Sequence, residues 1–490
     1  MGMVLNTNIG AIQAQRALTE SRKDMEKAME RLSTGKRING AADDAAGLAM
    51  VERMNTQIRG LTMATRNAND GISLIRTVEN ALVEVSGMLQ RMRVLAVQSA
   101  NDTNTATERA FANNELNQLQ LEISRVSLNT RYNGAQVLNG SFSGKSLQVG
   151  TESGESISFS IANVESSKLG AFVISGTRRD AVASSSTGTA PANGTNTNSL
   201  TLEANGISRT IVHEAGIEAK TVAMRINAVA GATQVSAEAR TFAQFYSTGS
   251  ASDRRISING TQTAAFSLSS SDVSDAVQKI NAISTTTGVQ ASATSDYKIL
   301  LADQDGNDIK IVNVSASTDL KVVAVGVDGL DTSGSAVRSV IQTGQATDAV
   351  TIAGAVRLTS NIDFKVTDHA SAPNFFAANS TAAPLLNISE VDVLTRITST
   401  DALAVIDGAI ASVSSMRGGL GTLENRLDYT VSNLMKVTEY TTGARSRIAD
   451  ADFAAETSKL AKAQVLQQAA ASMLSQANAS TDTVLQLLRG

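Results

Sequence analysis

Apolar residues recur every three or four positions along two long stretches of the chain, one toward each end. The first stretch runs from Val51 to Ala96 and the second from Ile406 to Ile448. Steps that alternate between three and four residues are the spacing of a buried helical seam. They predict helices over residues 45–99 and 401–448, with a further helix over 108–129 after a polar break. Helices of this length reach about 70 to 80 Å and need packing partners, so we expect an antiparallel helical rod.

The two outermost segments carry weaker helical patterns. Apolar residues of segment 9–33 recur every seven positions, at Ala11, Leu18, Met25 and Leu32. A second amphipathic helix is predicted from Phe453 to Leu488. A helix pair of this size buries little surface, so we expect both segments to be disordered in the monomer and to fold against neighbouring copies. Head-to-tail contacts that do not close build a filament, which makes these segments the predicted polymerisation element.

The middle of the chain has a different composition. From about residue 177 it is rich in Ser, Thr, Gly, Ala and Asn, with short strand-like runs. An internal repeat follows at a shift of 54 residues: Asn205-Gly206 matches Asn259-Gly260, and Ile226-Asn227 matches Ile280-Asn281. Each copy predicts a strand, an Asn-Gly turn, a strand, a short helix and a strand. We therefore expect two α+β modules, at about 197–250 and 251–315.

These patterns together predict a multidomain α+β fold. The N- and C-terminal segments form the long antiparallel helical rod, and the middle supplies inserted β-rich outer domains. Thr398 and Asp401 have the spacing of a capping box at the start of the returning helix, and Ile157, Phe159 and Ile161 alternate as in a hairpin strand. The chain is expected to begin with an N-terminal helical segment (1–44), a first rod segment with a β-hairpin (45–176) and an outer region (177–396). A second rod segment (397–449) and a C-terminal helical segment (450–490) follow.

The bulk composition narrows the class of protein. A chain of 490 residues is long enough for several hydrophobic cores. Its formal net charge of −4 gives no reason to expect nucleic-acid binding. The sequence contains no run of about 18 apolar residues, the length that would predict a membrane-spanning helix. It has no cysteine, which excludes disulfide and thiolate chemistry. The first 30 residues lack the layout of a cleavable leader, so we expect any export to use a route that reads none.

Candidate chemical sites are few. His213-Glu214 begins like a zinc-protease motif, but no second histidine follows at the position that a zinc site requires. We therefore expect His213 to be a surface residue of a strand and not a zinc ligand. Asp303 to Asp308 carries calcium-type oxygens between two strand-like runs, and a hairpin turn at Asp305-Gly306 is the favoured interpretation. No metal or cofactor is expected, and no catalysis is assigned. Serine and threonine clusters at 184–187 and 247–252 are weak candidates for O-linked sugars.

Several long motifs resemble bacterial flagellin. Toward the N-terminus they are Val4 to Asn8, Arg31 to Asn39, Asp43 to Leu48 and Thr65 to Ser73. Toward the C-terminus they are Ala444 to Ile448, Asp450, Asp452 to Ala454 with Glu456, and Gln464 to Ala469. The match covers about residues 1–145 and 395–490, and the number of long motifs makes it specific. The duplicated modules also resemble insertion modules of flagellin and hook proteins.

This resemblance implies a structural subunit that polymerises into the flagellar filament for swimming, after export in the unfolded state through the flagellar type III system. It implies a terminal domain that lines the filament core, an extracellular location, and export chaperone, hook-associated and cap proteins as partners. The residues assigned to self-assembly are Leu18, Met25, Arg31, Leu32, Asp43, Asp44, Arg445, Arg447, Asp450, Asp452, Leu460, Leu466, Leu474, Leu485 and Leu488.

One segment resembles the part of the family that the animal Toll-like receptor for flagellin recognises. Gln90, Arg91, Leu95 and Glu115 match that pattern, whereas Val94 stands where an acidic residue is common. Leu95 also fits a packing surface inside the rod. The resemblance thus makes receptor binding a hypothesis for these four matching positions.

Two other functions stay open on the sequence alone. A hook-filament junction (hook-associated) protein shares both terminal helices but does not build long filaments; the complete rod motifs and the tail favour flagellin. An adhesin or enzyme carried on a coiled-coil stalk would need a binding or catalytic site in the middle region, where the sequence offers none.

Overall fold

The computed structural model describes residues 7–184, 188–249, 252–315, 320–329, 338–340, 348–369, 375–376 and 379–489. Its helices are α1 Ile9–Thr34, α2 Ala45–Ser99, α3 Ala106–Asn129, α4 Ala219–Asn227, α5 Ala230–Thr233, α6 Ser274–Asn281, α7 Ser284–Thr287, α8 Arg396–Ala449 and α9 Phe453–Arg489, with a 3-10 turn at Ile388–Glu390. The long helices predicted from the apolar spacing are therefore confirmed, with ends that differ by a few residues.

The strands fall in chain order between α3 and α8. The first group comprises β1 Arg131–Tyr132, β2 Ala135–Gln136, β3 Lys145–Gln148, β4 Ser156–Phe159, β5 Gly170–Ser175, β6 Val182–Ala183, β7 Asn198–Ala204, β8 Ile207–His213 and β9 Val235–Ser247. The second comprises β10 Ser252–Arg254, β11 Ile256–Ile258, β12 Thr261–Gln262, β13 Phe266–Leu268, β14 Gln290–Ala293, β15 Ile299–Asp303, β16 Ile309–Asn313 and β17 Leu320–Val325. The last are β18 Arg338–Val340, β19 Ala349–Ile352, β20 Ala355–Ser360, β21 Phe364–Asp368, β22 Asn379–Ala382 and β23 Leu385–Asn387.

The described chain divides into two units. The first unit contains the residues up to 75, residues 144–159 and the residues from 421 onward. The second unit contains residues 76–143 and 160–420. Both α2 and α8 contribute to each unit.

The predicted helical seams are buried. On α2 the buried seam positions are Leu61, Ala68, Ile72, Ile75, Val78, Leu82, Val85, Leu89, Met92 and Ala96. On α8 they are Ile406, Ala409, Val413, Leu420, Leu427 and Leu434, whereas Val437 is 39% exposed. The three-and-four spacing therefore predicted the core face of both helices, except at the start of α2, where Met54 and Ile58 are half-buried, and at the far end of α8.

Within each unit α2 and α8 run antiparallel. The contacts that join them are Asn55–Arg445 and Leu61–Leu434 in the first unit, and Glu79–Arg417 and Arg93–Asp407 in the second. Residue numbers rise along α2 as they fall along α8, which is the antiparallel pairing that the sequence predicts.

A glycine of the Thr65 to Ser73 motif is explained by close packing in the first unit. A Cβ atom built at Gly71 would lie 2.5 Å from Leu147 Cδ1 of β3 and 3.3 Å from Leu427 Cδ1 of α8. Strands β3 and β4 form an antiparallel pair with Lys145 opposite Phe159. The predicted hairpin is confirmed through Phe159, and Ile161 lies beyond its end. Only glycine lets this hairpin approach α2 so closely.

The predicted capping box at Thr398 and Asp401 is wrong. Helix α8 begins earlier, and Thr395 caps it, since its Oγ1 accepts from Thr398 N at 3.1 Å. Asp401 instead accepts from Arg240 Nη1 at 2.8 Å and pairs with Arg357. Both arginines are buried in the sheet that contains β9 and β20. The spacing of Thr398 and Asp401 gave no sign of these distant cationic partners.

The repeat predicted from the sequence recurs as matched local structure in the second unit. Each copy has a hairpin turn at its Asn-Gly pair, with φ of 52° and 73° at Asn205 and Gly206 and of 48° and 87° at Asn259 and Gly260. Positive φ at both central residues is the geometry of a type I′ turn, which Asn-Gly favours. The short helices α4 and α6 follow in each copy.

The matched asparagines have the same role in both copies. Asn227 Nδ2 donates to Ala237 O at 2.8 Å, and Asn227 Oδ1 accepts from Ala237 N at 2.7 Å. Asn281 makes the same two bonds with Ala291, at 2.9 and 2.7 Å. Each asparagine therefore ties the end of its helix to the strand that follows, at the shift of the repeat.

Strand β9 connects the two modules. It is 13 residues long. Its first half pairs with β20, and its second half pairs with both β15 and β17. One core cluster, which includes Leu202 and Val222, lies under the first half, and another, which includes Phe245 and Ile280, lies under the second. The two modules therefore share one strand.

Two local predictions in the modules are wrong. Asp305-Gly306 does not join a hairpin, because β15 pairs with β14 and β9 whereas β16 pairs with β11 and β19. Asp303 Oδ1 instead accepts from Asp305 N and Asn307 Nδ2, at 2.9 and 3.2 Å, which shapes the loop. His213 is not a surface residue: it is fully buried, with its ring 5.4 Å from that of Phe375 at 85°.

The proposed sugar-bearing clusters are only partly described. Ser184 is buried, with its hydroxyl donating to Thr189 O at 2.7 Å, and Ser247 is also buried. Residues 185–187, 250 and 251 lie outside the described residues. Ser184 and Ser247 are therefore poor acceptors for a bulky sugar, whereas Thr248 of the second cluster is exposed.

Helix α8 is long and apolar enough, by length and composition alone, to cross a membrane. The same test is passed by core helices of proteins that enter no membrane. Val405, Ile406 and Val413 are fully buried, and Asp401 and Asp407 make ion pairs within the second unit. The apolar character of α8 is thus accounted for by the core that it helps to build.

Candidate assembly site at the paired terminal helices

Helices α1 and α9 pack along one another within the first unit through small residues. The buried positions of α1 are Ala14, Ser21 and Ala28, which recur every seven residues. Glu456, Ala463 and Ala470 of α9 are also buried and also recur every seven residues. Small side chains at heptad spacing let two helix backbones approach closely while burying little apolar surface.

The buried line of α1 differs from the apolar seam that the sequence predicts for this helix. Leu18, Met25 and Leu32 of α1 are half-buried, beside the small-residue line rather than on it. The line of Ala14, Ser21 and Ala28 was not predicted from the sequence, because alanine and serine are much less hydrophobic than leucine. Its signal in the sequence is the matching seven-residue spacing of small residues on both helices.

Two side-chain hydrogen bonds fix the register of the pair. Ser21 Oγ donates to Ala463 O at 2.7 Å in a buried position. Near the other end, Asn8 Nδ2 donates to Ala477 O at 2.9 Å, and Asn8 Oδ1 caps α1 by accepting from Ala11 N. Residue numbers rise on α1 as they fall on α9, so these helices are antiparallel.

A cluster of charged side chains lies at the base of the pair. Asp43 Oδ1 is 2.9 Å from Lys27 Nζ and 3.8 Å from Arg31 Nη2. Arg31 Nη1 is also 3.3 Å from Glu456 Oε1, to which Lys459 Nζ lies at 2.8 Å. Arg31 thus bridges two carboxylates, one on the loop before α2 and one on α9.

These contacts keep both carboxylates ionised. The hydrogen bond from Lys27, with backbone donors at Asn39 and Gly40, lowers the pKa of Asp43 to about 2. The hydrogen bond from Lys459, supported by Arg31, lowers the pKa of Glu456. Opposite charges and donated hydrogen bonds both favour the anionic form.

Backbone hydrogen bonds join the loop after α1 to the short link between α8 and α9. Arg37 N donates to Ala449 O at 2.7 Å, and Ala451 N donates to Gly35 O at 2.9 Å. Lys36 and Asp450 form an isolated antiparallel bridge between them. This contact holds the C-terminal end of α1 beside the link between α8 and α9.

The remaining residues predicted for self-assembly lie around this cluster or along α9. Asp44 accepts from Gly47 N at the start of α2, Asp452 accepts from Ala454 N at the start of α9, and Arg445 donates to Asn55. Asp450 and Arg447 are exposed, as is Leu466, whereas Leu460 and Leu474 are half-buried. Leu485 and Leu488 belong to α9, but their side chains lie outside the described part of the chain.

Large apolar side chains remain on the outside of the pair. Ile9 and Ile12 of α1 are 57% and 56% exposed, and Phe453, Val465 and Met473 of α9 are 64–68% exposed. A groove of about 660 Å³ also runs between the helices, lined by residues such as Ala17 and Ala470. These exposed apolar side chains and the groove make the outside of the pair a candidate surface for contact with another protein.

The residues matched to receptor recognition separate into two groups. Gln90, Arg91 and Glu115 are exposed, and Arg91 Nε and Nη2 bind the Glu115 carboxylate at 2.6 and 3.0 Å. Leu95 is 2% exposed, so its side chain is part of the core. Of the four matched residues, Gln90, Arg91 and Glu115 are thus the ones whose side chains are open to solvent.

Comparisons with known proteins bear on this site. The model of the bacterial flagellin N-terminal helical region matches residues 5–143, and that of the bacterial flagellin C-terminal helical region matches residues 403–488. The chain is 36% identical to B-type flagellin of Pseudomonas aeruginosa and 32% identical to flagellin D of Vibrio cholerae, with all of each chain covered. It is also similar to the solved structure of FliC from Burkholderia pseudomallei, with a TM-score of 0.30, 17% identity, and coverage of 73% of this chain and 99% of that one.

Proposed function

Because the chain belongs to the bacterial flagellin family, and is thus a structural subunit of the flagellar filament, we propose that it polymerises through the paired helices α1 and α9. The observation that carries this proposal is the arrangement of the pair: small residues within the seam and large apolar residues outside it. Such a pair gains little from its own packing and more from neighbouring copies. The charged cluster around Arg31 would hold its base in place during assembly.

The residues assigned to self-assembly divide into two roles in this proposal. Arg31, Asp43 and Asp452 set the geometry where α1, α2 and α9 begin or end. The exposed apolar residues of α1 and α9, with Leu466 among them, supply the contact surface. We further propose that the pair is disordered in the free monomer and is ordered by neighbouring copies.

We also propose the finer features that the family resemblance implies. The chain is exported unfolded through the flagellar type III system, meets an export chaperone before export, assembles between hook-associated and cap proteins, and resides outside the cell. The first and last parts, 1–44 and 450–490, form the filament-core domain. Residues 45–176 and 397–449 form the rod, and residues 177–396 form the displayed outer region.

Receptor recognition is a separate proposal for the exposed face of α2 and α3. The exposed side chains of Gln90, Arg91 and Glu115 support it, and the buried Leu95 would act by packing beneath them. The alternative of a hook-filament junction protein is less favoured, because relatives that match the whole chain are flagellins.

A matched pair of variants tests polymerisation through the seam. Ala28 is 3% exposed and Met29 is 45% exposed. Ala28→Leu adds bulk where the two backbones are close, which costs about 1–3 kcal/mol in packed sites, whereas Met29→Leu leaves the seam unchanged. Seeded elongation, followed by light scattering, should be lost or strongly slowed for Ala28→Leu alone. Equal elongation of both variants and the native chain would rule out the seam as the assembly element.

A further inference from the structure

A buried carboxylate lies in the second unit, whereas the assembly site belongs to the first. Asp308, just before β16, is 6% exposed. Its Oδ2 accepts from Asn193 Nδ2 at 3.0 Å, and its Oδ1 has no hydrogen-bond partner among the described residues. A buried carboxylate that meets one neutral donor is poorly compensated for the loss of water.

The donor to Asp308 also organises the surrounding loop. Asn193 is 2% exposed, and its Nδ2 donates to Ile217 O at 2.9 Å as well. Its Oδ1 accepts from Thr195 N and Thr195 Oγ1, at 3.0 and 2.7 Å. Asn193 therefore joins the loop of residues 188–197 to the segment before α4 and, through Asp308, to the start of β16.

The charges that face Asp308 come from three neighbouring segments. Burial is the main effect and raises the pKa of Asp308 to about 6, although the hydrogen bond from Asn193 lowers it; Glu218 before α4 adds to the rise. Lys310 on β16 and Arg179 on the loop after β5 oppose it through their charge. These cations act at longer range and do not replace the missing partner of Oδ1.

We propose that Asp308 makes the outer region pH-dependent, with the loop of residues 188–197 held against β16 more firmly when this carboxyl is protonated than when it is ionised. Protonation removes a buried charge and leaves a hydroxyl that can donate a hydrogen bond. Ionisation leaves a buried anion with a single donor. The proposal concerns the outer modules and does not depend on how the filament assembles.

The direction of the effect follows from proton binding. An ordinary aspartate has a pKa of 3.8, below the value of about 6 at Asp308, so the closed loop binds more protons between these values. Stability from this group is therefore present in acid and falls as the pH rises through about 6. The opening equilibrium of the loop should rise about tenfold between pH 5 and pH 8.

Amide hydrogen exchange of the full-length monomer at pH 5 and pH 8 tests the proposal, after correction for intrinsic exchange rates. In the native chain the peptides that cover residues 188–197 and 308–313 should lose about tenfold in protection at the higher pH. Asp308→Asn should abolish this loss. Asp305→Asn, at an exposed carboxylate that pairs with Lys220, should retain it.

The outcomes separate clearly. A loss of protection in the native chain that disappears in Asp308→Asn supports the proposal. No pH dependence in the native chain, or equal dependence in the native chain and Asp308→Asn, overturns it. If Asp308→Asn does not fold, Asp308→Ser removes the same charge and replaces it in the test. Within the native chain, the peptide that covers β7 serves as the reference, since its protection should not change with pH.

Discussion

The paired terminal helices and the outer modules bury their side chains in different ways. Between α1 and α9 the seam consists of residues such as Ala14 and Ala463, while large apolar residues stay exposed. In the modules, Phe242 and Phe245 of β9 are 2% and 0% exposed, inside cores of large side chains. Since burial of apolar area is the main stabilising contribution, the terminal pair gains far less from its own contacts. We therefore expect the first region to depend on neighbouring copies, whereas the second has hydrophobic cores of its own.

The two regions also treat their carboxylates in opposite ways. Asp43, beside Lys27 and Arg31, is held ionised, whereas Asp308 is buried with one neutral donor. Acid therefore weakens contacts at the base of the terminal helices and strengthens a contact in the modules.

The largest effect on the free energy of unfolding is expected at Asp401, which pairs with two buried arginines of the modules. Asp401→Ala leaves the buried Arg357 without its ion-pair partner. It also leaves Arg240 paired with Glu238 alone among the described residues. Removal of one partner of a buried pair costs about 3–5 kcal/mol. Asp407→Ala breaks an exposed pair with Arg93 and should cost about 1 kcal/mol or less. Denaturant unfolding of the second unit measures both variants. Similar midpoints for the two would contradict the importance of the buried cluster.

The repeat provides a matched pair of smaller changes. Asn227→Ala and Asn281→Ala each remove two hydrogen bonds to the following strand and should destabilise their modules by about 1–3 kcal/mol. Because the bonds match across the repeat, the two costs should be similar. Thermal unfolding of each variant provides the measurement. A large cost in one copy alone would show that the modules use this asparagine differently.

The terminal region should respond to acid in its own way. The pKa of Asp43 is about 2, below the ordinary 3.8, so its contribution is present above about pH 4 and is lost as the pH falls through 2. Far-ultraviolet circular dichroism of acid-titrated filaments should show helix loss in this window. In Asp43→Asn that loss should be smaller, from a less stable starting state. An unchanged acid transition in Asp43→Asn would rule out this role.

The smallest effect on folding is expected at Arg91. Its pair with Glu115 is about half exposed, so Arg91→Ala should change stability by less than about 1 kcal/mol. Receptor activation by the monomer in reporter cells should nevertheless fall. Arg125→Ala breaks a similar exposed pair with Glu122 and serves as the control. Equal activation by both variants would end the receptor hypothesis for Arg91.

Most of the helical architecture could be predicted from the sequence, because the seams of α2 and α8 carry large apolar residues at regular spacing. The modules were also predictable, since Asn205-Gly206 and Asn259-Gly260 are local signals repeated at a constant shift. Contacts between distant segments were not. Nothing near Asp401 in the sequence points to Arg240, and nothing near Asp305-Gly306 shows that its flanking strands join different sheets.

At the candidate assembly site, the charged residues could be predicted from the sequence, but the buried small residues between α1 and α9 could not. Arg31 and Asp43 were found because they belong to a long motif, and the structure brings them together. The buried Ala14, Ser21 and Ala28 were missed because small residues carry little hydrophobic signal. In a thin helix pair, close approach of the backbones decides which residues are buried.

Assembly through the paired terminal helices can be tested by electron microscopy of the chain without residues 1–40, after seeding under conditions in which the full chain polymerises. Removal of α1 takes away one helix of the pair while leaving the module cores intact. The expected result is a soluble monomer with folded modules and no filaments. Filaments formed by the truncated chain would contradict assembly through the paired terminal helices.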